Sequence, residues 1–371
     1  MYYERNALTC HRRCGILAKD SAVGQGTMPK TVTLQQIAKR AGVSMSTVSR
    51  ALNGNVRVDP DTRKRIRTAM HQLNYRARGI PNEIFAPPIT HLLGLLMPEG
   101  MQALGLNTSI YGAVVDAIRT SAEVAGYGVT ISTYTNTPEV ITVGDRFLAQ
   151  RKLEGALLFR TRLADESFDW LRELGIPFVV IGRLFERDLF HCVGVDNRRA
   201  GYLAAKHLID LGHRRIAFIN GPSEVAPTVL RLQGFRNALR EAQLTPREDW
   251  LLESKYDTQL GAQLARQLVA AKDRPTAIIA ANDRVAWAIM RALQEQGRTV
   301  PADVSVIGFD DAEESAHSSP PLTTVRIEWR QMAEIATQML IEILQHRNIS
   351  RIYVALDPKL IVRASAAPPK Q

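Results

Sequence analysis

The residues best suited to chemistry lie in one short segment, Met45 to Leu52. Its candidate outward side chains are Met45, Ser46, Thr47, Ser49 and Arg50. They are short, polar or cationic, which suits a helix that approaches phosphates and base edges. An arginine there can donate two parallel hydrogen bonds to guanine O6 and N7, and a methionine can touch a thymine methyl. Catalytic chemistry has no such footing. The chain has no G-x-S-x-G elbow, P-loop, H-E-x-x-H or G-x-G-x-x-G pattern, and its eight histidines are scattered. Cys10, His11 and Cys14 suggest metal ligands, but no second ligand pair follows at zinc spacing. The expectation is a non-enzymatic protein without metal or cofactor.

Several elements must hold that segment in place. Thr33 and Gln36 form a T-x-x-Q capping box. Leu34, Ile37, Ala38 and Ala41 recur at helical spacing. Gly42 supplies a positive φ for a sharp turn. Ser44 caps the second helix, whose inward residues are Val48, Ala51 and Leu52. A third helix opens at Val58-Asp59-Pro60-Asp61-Thr62, with the proline where its missing N–H costs little and the acids near the helix N-terminus. Its apolar face is Ile66, Ala69, Met70 and Leu73. Two short helices joined by a tight turn, with a third behind them, predict a DNA-binding helix-turn-helix.

Charge supports that reading. The 371-residue chain carries a formal net charge of +10, and Lys30 to Arg78 alone holds eleven Lys/Arg against Asp59 and Asp61. Residues 1–29 add a further +2, which leaves the remaining 293 near neutral. Cationic charge confined to one small module predicts a polyanion partner for it. Three cysteines, Cys10, Cys14 and Cys192, fit a reducing cytoplasm. No apolar run approaches the roughly 20 residues of a membrane span, and no secretory signal pattern is visible.

From Leu92 onward, short apolar runs alternate with amphipathic stretches. The runs are Leu92–Met97, Val129–Tyr134, Ala156–Phe159, Phe178–Ile181, Ile216–Ile219, Ala277–Ala280 and Val304–Phe309. Helical patterns include Gly112–Ala125, Ala200–Leu211, Leu232–Glu241, Gly261–Ala271 and Ala286–Gln296. Near-continuous apolar strands separated by helices imply parallel sheets covered on both faces. Some 270 residues of this repetition predict two similar α/β subdomains with a cleft between them.

The stretch T-L-Q-Q-I-A-K-R-A-G-V-S-M-S-T-V-S-R-A-L-N from Thr33 to Asn53 resembles the headpiece signature of the LacI/GalR family of bacterial regulators. The resemblance continues through Val195-Asp196-Asn197, Leu211 to Ile216, Asn220-Gly221-Pro222, Arg231 to Phe235, Asn282-Asp283, Val306 to Asp311 and Pro321 to Val325. It implies an α/β protein with an N-terminal all-α helix-turn-helix headpiece. A periplasmic-binding-protein-like core of two doubly wound parallel-sheet subdomains would follow. The implied division is a flexible leader 1–28, a DNA-binding domain 29–76, a hinge linker 77–91 and an effector-binding core 92–366. Subdomain one would take 92–195 and 326–355, and subdomain two 196–325 and 356–366, with chain crossings near Val195, Val325 and Ala355. Met28 is the expected native start.

By the same resemblance Met45, Ser46 and Arg50 match base-reading positions. Ser44, Thr47, Ser49, Asn53 and Thr62 match phosphate-contacting ones, and Thr33 is counted with the DNA-contacting residues. Arg231 and Asp310 match an effector-gripping pair, and Tyr111 and Tyr256 fall where aromatics stack on a ligand. Arg160 and Arg183 each end an apolar strand on the ligand side of a sheet. Ile327 replaces a polar residue found in some members. The linker departs from the family pattern: Arg76 to Pro88 lacks the usual A-R-x-L run, leaving Ile84 or Phe85 as the only candidate minor-groove wedges. The implied partners are operator DNA, a small sugar-like effector and a second copy of the chain, with no membrane. The implied role is repression of carbohydrate-utilisation genes. The competing readings are a transport-type solute-binding protein, against which the headpiece argues, and a sugar-modifying enzyme, which lacks a catalytic constellation.

Overall fold

The computed structural model describes residues 33–52, 58–73, 90–98, 109–134, 153–159, 171, 175–182, 190–346 and 350–370. They fall into two compact units, one within 1–86 and one within 87–371. The leader, its Met28 and Cys10–Cys14 cluster, the linker up to residue 89 with Ile84 and Phe85, and Asn53, Arg160 and Arg183 lie outside the described residues.

The first unit is three helices, α1 (Leu34–Ala41), α2 (Met45–Leu52) and α3 (Pro60–Gln72). The capping box is formed on both sides. The Thr33 N–H donates to Gln36 Oε1 at 2.9 Å, and the Gln36 N–H to Thr33 Oγ1 at 3.4 Å. Gly42 closes α1 with φ 65°, and its N–H returns to the Ala38 carbonyl. Asp59 caps α3 through the Thr62 N–H at 2.9 Å. Ile37, Val48, Ala51, Val58, Ile66 and Ala69 meet in a core only a few side chains deep.

The second unit holds two six-stranded sheets. The first is built from β1 (Leu92–Pro98), β2 (Gly128–Tyr134), β3 (Gly155–Phe159), β4 (Phe178–Ile181), β5 (His191–Val195) and a late strand β11 (Tyr353–Leu356). Their spatial order is β11-β5-β4-β3-β1-β2, and every pairing is parallel. The second sheet is built from β6 (Ile216–Asn220), β7 (Leu251–Glu253), β8 (Ala277–Ala280), β9 (Ser305–Asp310), β10 (Thr323–Arg326) and β12 (Lys359–Ile361). Its order is β12-β10-β9-β8-β6-β7, and only β12 runs antiparallel. Helices α4 (Ser109–Val124), α5 (Asn197–Asp210), α6 (Ala226–Glu241), α7 (Thr258–Ala270), α8 (Asp283–Glu295) and α9 (Trp329–Gln345) cover them. Strands β3, β4, β6, β8 and β9 are buried at every position, as coverage of both faces requires.

The chain passes between the sheets three times: after β5 into α5, after β10 into α9, and from β11 to β12. Helix α9 returns from the second sheet to pack on β3, β4 and β5 of the first. The first and third crossings touch, because the Asp196 N–H donates to the Leu356 carbonyl at 3.1 Å. Helices α5 and α6 cross with almost no separation. A Cβ on Gly201 would lie 2.0 Å from the Arg231 carbonyl oxygen, and one on Gly234 would lie 1.9 Å from that of Arg198.

Candidate nucleic-acid interface and effector cleft

The headpiece presents a polar face on α2. Val48 and Ala51 point inward, which leaves Met45 (56% exposed), Ser46 and Arg50 in solvent. Ser44 orders the start of the helix: its Oγ accepts from the Thr47 N–H at 3.1 Å and shares hydrogen bonds with the Ser46 and Thr47 hydroxyls. Arg50 folds back to Ser46, with Nε 3.3 Å from the backbone oxygen and Nη2 3.4 Å from Oγ. Both contacts are long and solvent-exposed, so the guanidinium can exchange them for a base edge at little cost. Thr33 is exposed and Ser49 half-exposed. Thr62 differs. It is 8% exposed, and its Oγ1 accepts from Arg65 at 3.2 Å.

In the second unit, each sheet reverses its strand order once: between β1 and β3 in the first, between β6 and β8 in the second. Open parallel sheets bind ligands at such points, beyond the carboxyl ends of the strands. In the second sheet those ends bring together Gly221, Ala281 and Asp310. Arg231 is there too, although it sits inside α6 and is only 4% exposed. That burial sets it apart from an ordinary solvated arginine on a helix surface. Its Nε donates to Asn197 Oδ1 at 2.9 Å and its Nη1 to the Ala281 carbonyl at 3.0 Å, while the guanidinium lies 4.3 Å from the centre of the Phe309 ring. These contacts fix the plane of the fork and leave it pre-aimed.

Asp310 ends β9, is 6% exposed and has φ 109°. Asp311 follows at φ 55°. Two successive non-glycine residues in this region store strain that their surroundings must hold. Arg326 Nε holds Asp311 at 2.7 Å and Arg363 Nη2 holds it at 2.6 Å. The Trp329 indole N–H donates to Asp310 Oδ1 at 3.2 Å. Tyr256, also at positive φ (62°), shares a hydrogen bond with Thr228 Oγ1 at 3.2 Å, and its ring lies against Gly221. Tyr111 is half-buried on α4, at the first sheet, where partial burial pushes its phenol above the ordinary value. Ile327 is 3% exposed and part of the hydrophobic core. His213 serves the fold, with its ring held by Thr276, Ser305 and the Ala367 carbonyl.

Two side chains at this site escaped the reading of the sequence. Trp329 had no motif to mark it. Asp283 stood in the Asn282-Asp283 pair, but its burial could not be read from residue type. Its carboxyl accepts from Thr324 Oγ1 at 2.6 Å, Ser315 Oγ at 2.8 Å and the Ala312 N–H at 2.9 Å. Burial, reinforced by the charge of Asp310, outweighs those donors and pushes its pKa from 3.8 up to about 8. A carboxyl raised in the folded state contributes stability fully below its unfolded value and loses it as pH rises through the folded value. The melting temperature of the wild type should therefore fall, relative to that of Asp283→Asn, by several degrees between about pH 5 and about pH 9. Paired calorimetric scans test this, and a pH-independent difference would refute it.

A family model for bacterial regulatory proteins of the lacI family matches residues 33–78, and one for a periplasmic binding protein-like domain matches 205–366. The chain is 30% identical over 338 residues to the HTH-type transcriptional repressor PurR of Mannheimia succiniciproducens, spanning 90% of this chain and 98% of that protein. The chain belongs to the LacI family. Solved structures of other LacI-family proteins agree. The transcriptional regulator CelR in complex with cellobiose matches at a TM-score of 0.69 and 29% identity, over 90% of this chain and 99% of that one. The lac repressor dimer bound to operator and the anti-inducer ONPF matches at a TM-score of 0.66 and 28% identity, over 91% of this chain and 100% of that one.

Membership of the LacI family makes the protein a DNA-binding transcriptional regulator with an effector-binding core, not an enzyme. The α/β architecture of headpiece and paired parallel sheets is that of its LacI-family relatives. Among the described residues, no helix is long and apolar enough to cross a membrane, and no cluster of three or more His, Cys, Asp or Glu could hold a metal.

Proposed function

We propose that this protein is a cytoplasmic, homodimeric repressor of carbohydrate-utilisation genes, whose grip on operator DNA is set by a sugar-like effector bound between the two sheets. The observation that carries the DNA half is the exposed Met45-Ser46-Arg50 face on a helix anchored by buried Val48 and Ala51. Met45, Ser46 and Arg50 read base edges, while Thr33, Ser44, Thr47, Ser49, Asn53 and Thr62 set register on the phosphates. A two-fold dimer then places one headpiece on each half of a pseudo-palindrome. For the effector, Arg231 and Asp310 offer a donor fork and an acceptor beside one another, which suits vicinal hydroxyls. Tyr111, Tyr256, Arg160 and Arg183 complete the proposed pocket. The core extends over 92–366, behind a leader 1–28, a headpiece 29–76 and a linker 77–91.

The test begins with selection of genomic fragments by the intact protein, and deletion of residues 1–78 should abolish the selection. On the selected fragment, Arg50→Ala should weaken binding by about 1–3 kcal/mol at fixed salt. Equal, purely salt-driven binding to every fragment would sink the proposal. A thermal-shift panel of sugars and sugar phosphates identifies the effector class, since a ligand at about 100 times its Kd adds roughly 2.7 kcal/mol of stability.

A further inference from the structure

The segment that carries the chain from the second sheet back to the first, Arg326 to Trp329, holds both aspartates at the end of β9. Arg326 pairs with Asp311 at 2.7 Å. Trp329 donates its indole N–H to Asp310 at 3.2 Å. The Ile327 N–H reaches back toward the Asp310 carbonyl at 3.5 Å. From the same position the Trp329 ring meets Phe159, the last residue of β3 in the first sheet, edge-on with ring centres 5.6 Å apart. Trp329 is also the first residue of α9, the helix that lies across β3, β4 and β5. One side chain thus touches Asp310 in one subdomain and the end of β3 in the other, at a crossing between them.

We propose that Trp329 is the positioning residue through which occupancy of Asp310 reaches the other subdomain. Its indole N–H holds Asp310 Oδ1 at 3.2 Å. A ligand donor that takes Asp310 displaces the indole N–H, and the start of α9 shifts with it. The two positive-φ aspartates store strain at this turn, and two of the side chains that hold it, Arg326 and Trp329, belong to the crossing segment, with Arg363 as the third. The inference rests on the reading of Asp310 as an effector contact, but its central claim concerns the free protein and is testable without knowing the ligand.

Three full-length variants test it: Trp329→Phe, which keeps an aromatic ring for Phe159 and removes the donor, Asp310→Asn, and the double variant. The readout is the effector-free Kd for the genomic fragment that the wild type selects. Each single change should shift that Kd in the same direction by about 5- to 100-fold, the range of ordinary coupling between sites. The double variant should shift it no further than the larger single one, because both act on one bond: Trp329→Phe removes its donor, and Asp310→Asn, which keeps an amide oxygen, removes the charge of its acceptor. Trp250→Phe, a buried tryptophan stacked on Arg247 outside this segment, should leave it unchanged. Unchanged affinity in Trp329→Phe, or additive effects in the double variant, would overturn the relay. If instead the singles behave as expected but Asp310→Asn still binds the sugar that gives the largest wild-type thermal shift, the reading of Asp310 as an effector contact fails while the relay stands.

Discussion

Ile37→Asp should abolish sequence-specific DNA binding, lowering affinity for the preferred fragment by about three orders of magnitude or more, to the non-specific level. Ile37 has no exposed surface and sits at the centre of the headpiece core. A carboxylate there has no partner, and burying an unpaired charge costs several kcal/mol. A three-helix unit of this size has little stability to lose. The unit of 87–371 has its own cores and should melt as before. Competition binding at two salt concentrations, alongside calorimetry of the intact protein, checks both halves. Retained sequence preference would mean that the exposed face of α2 does not need this core beneath it.

The second large effect is expected from Gly234→Ala. The added Cβ would lie 1.9 Å from the Arg198 carbonyl oxygen and 2.7 Å from the Tyr202 nitrogen. These are backbone atoms of a buried helix pair, so no side chain can swing aside, and α5 and α6 must separate by more than an ångström. Ordinary overpacking costs about 1–3 kcal/mol, and a backbone clash lies at or above the upper end. At about 2.1 cal/mol/K of unfolding entropy per residue, about 3 kcal/mol in a protein of this size corresponds to a fall in Tm of roughly 4–5 °C. Arg231 lies on α6 one turn before Gly234, so effector affinity should fall with the fold. Gly112→Ala on α4 is the matched control, since its Cβ would meet nothing within 4 Å. That substitution should be neutral or stabilising by up to about 1 kcal/mol. Equal behaviour of the two variants would mean that the helix pair is not as close as described.

The headpiece was legible because its signals are local. A capping box, a turn glycine and 3.6-residue periodicity are complete within twenty residues, and α2 begins and ends where the pattern places it. The buried central strands were legible for a related reason: uninterrupted apolar runs such as Ala277–Ala280 have few other uses. The edge strand β2 was read, as Val129–Tyr134, but β5, β7, β10, β11 and β12 were not. β10 opens on two threonines, and their burial depends on partners far along the chain, Arg363 and Ser365 for Thr323 and Asp283 for Thr324. β11 alternates exposed and half-buried residues at a sheet edge, and β7 is three residues long. Helix α9 stands outside the periodic segments read from the sequence. At the cleft, the resemblance marked Arg231 and Asp310 as a pair, but nothing local announces that a guanidinium inside a helix is buried. The partners of Asp283 come from two separate segments, 312–315 and β10, and Trp329 gains its place only when two sheets meet.

The repeated passage of the chain between the sheets has a consequence during synthesis. Strands β1 to β5 leave the ribosome early, but the helix that covers β3, β4 and β5 begins at Trp329, and β11 is later still. Translation at ~5–20 residues per second leaves that face without its cover for on the order of ten seconds. The second sheet has nearly all its strands by residue 326 and can form in that interval. The nascent first half is therefore the species that a holding chaperone should meet, and slowing translation within 196–328 should lengthen its stay there.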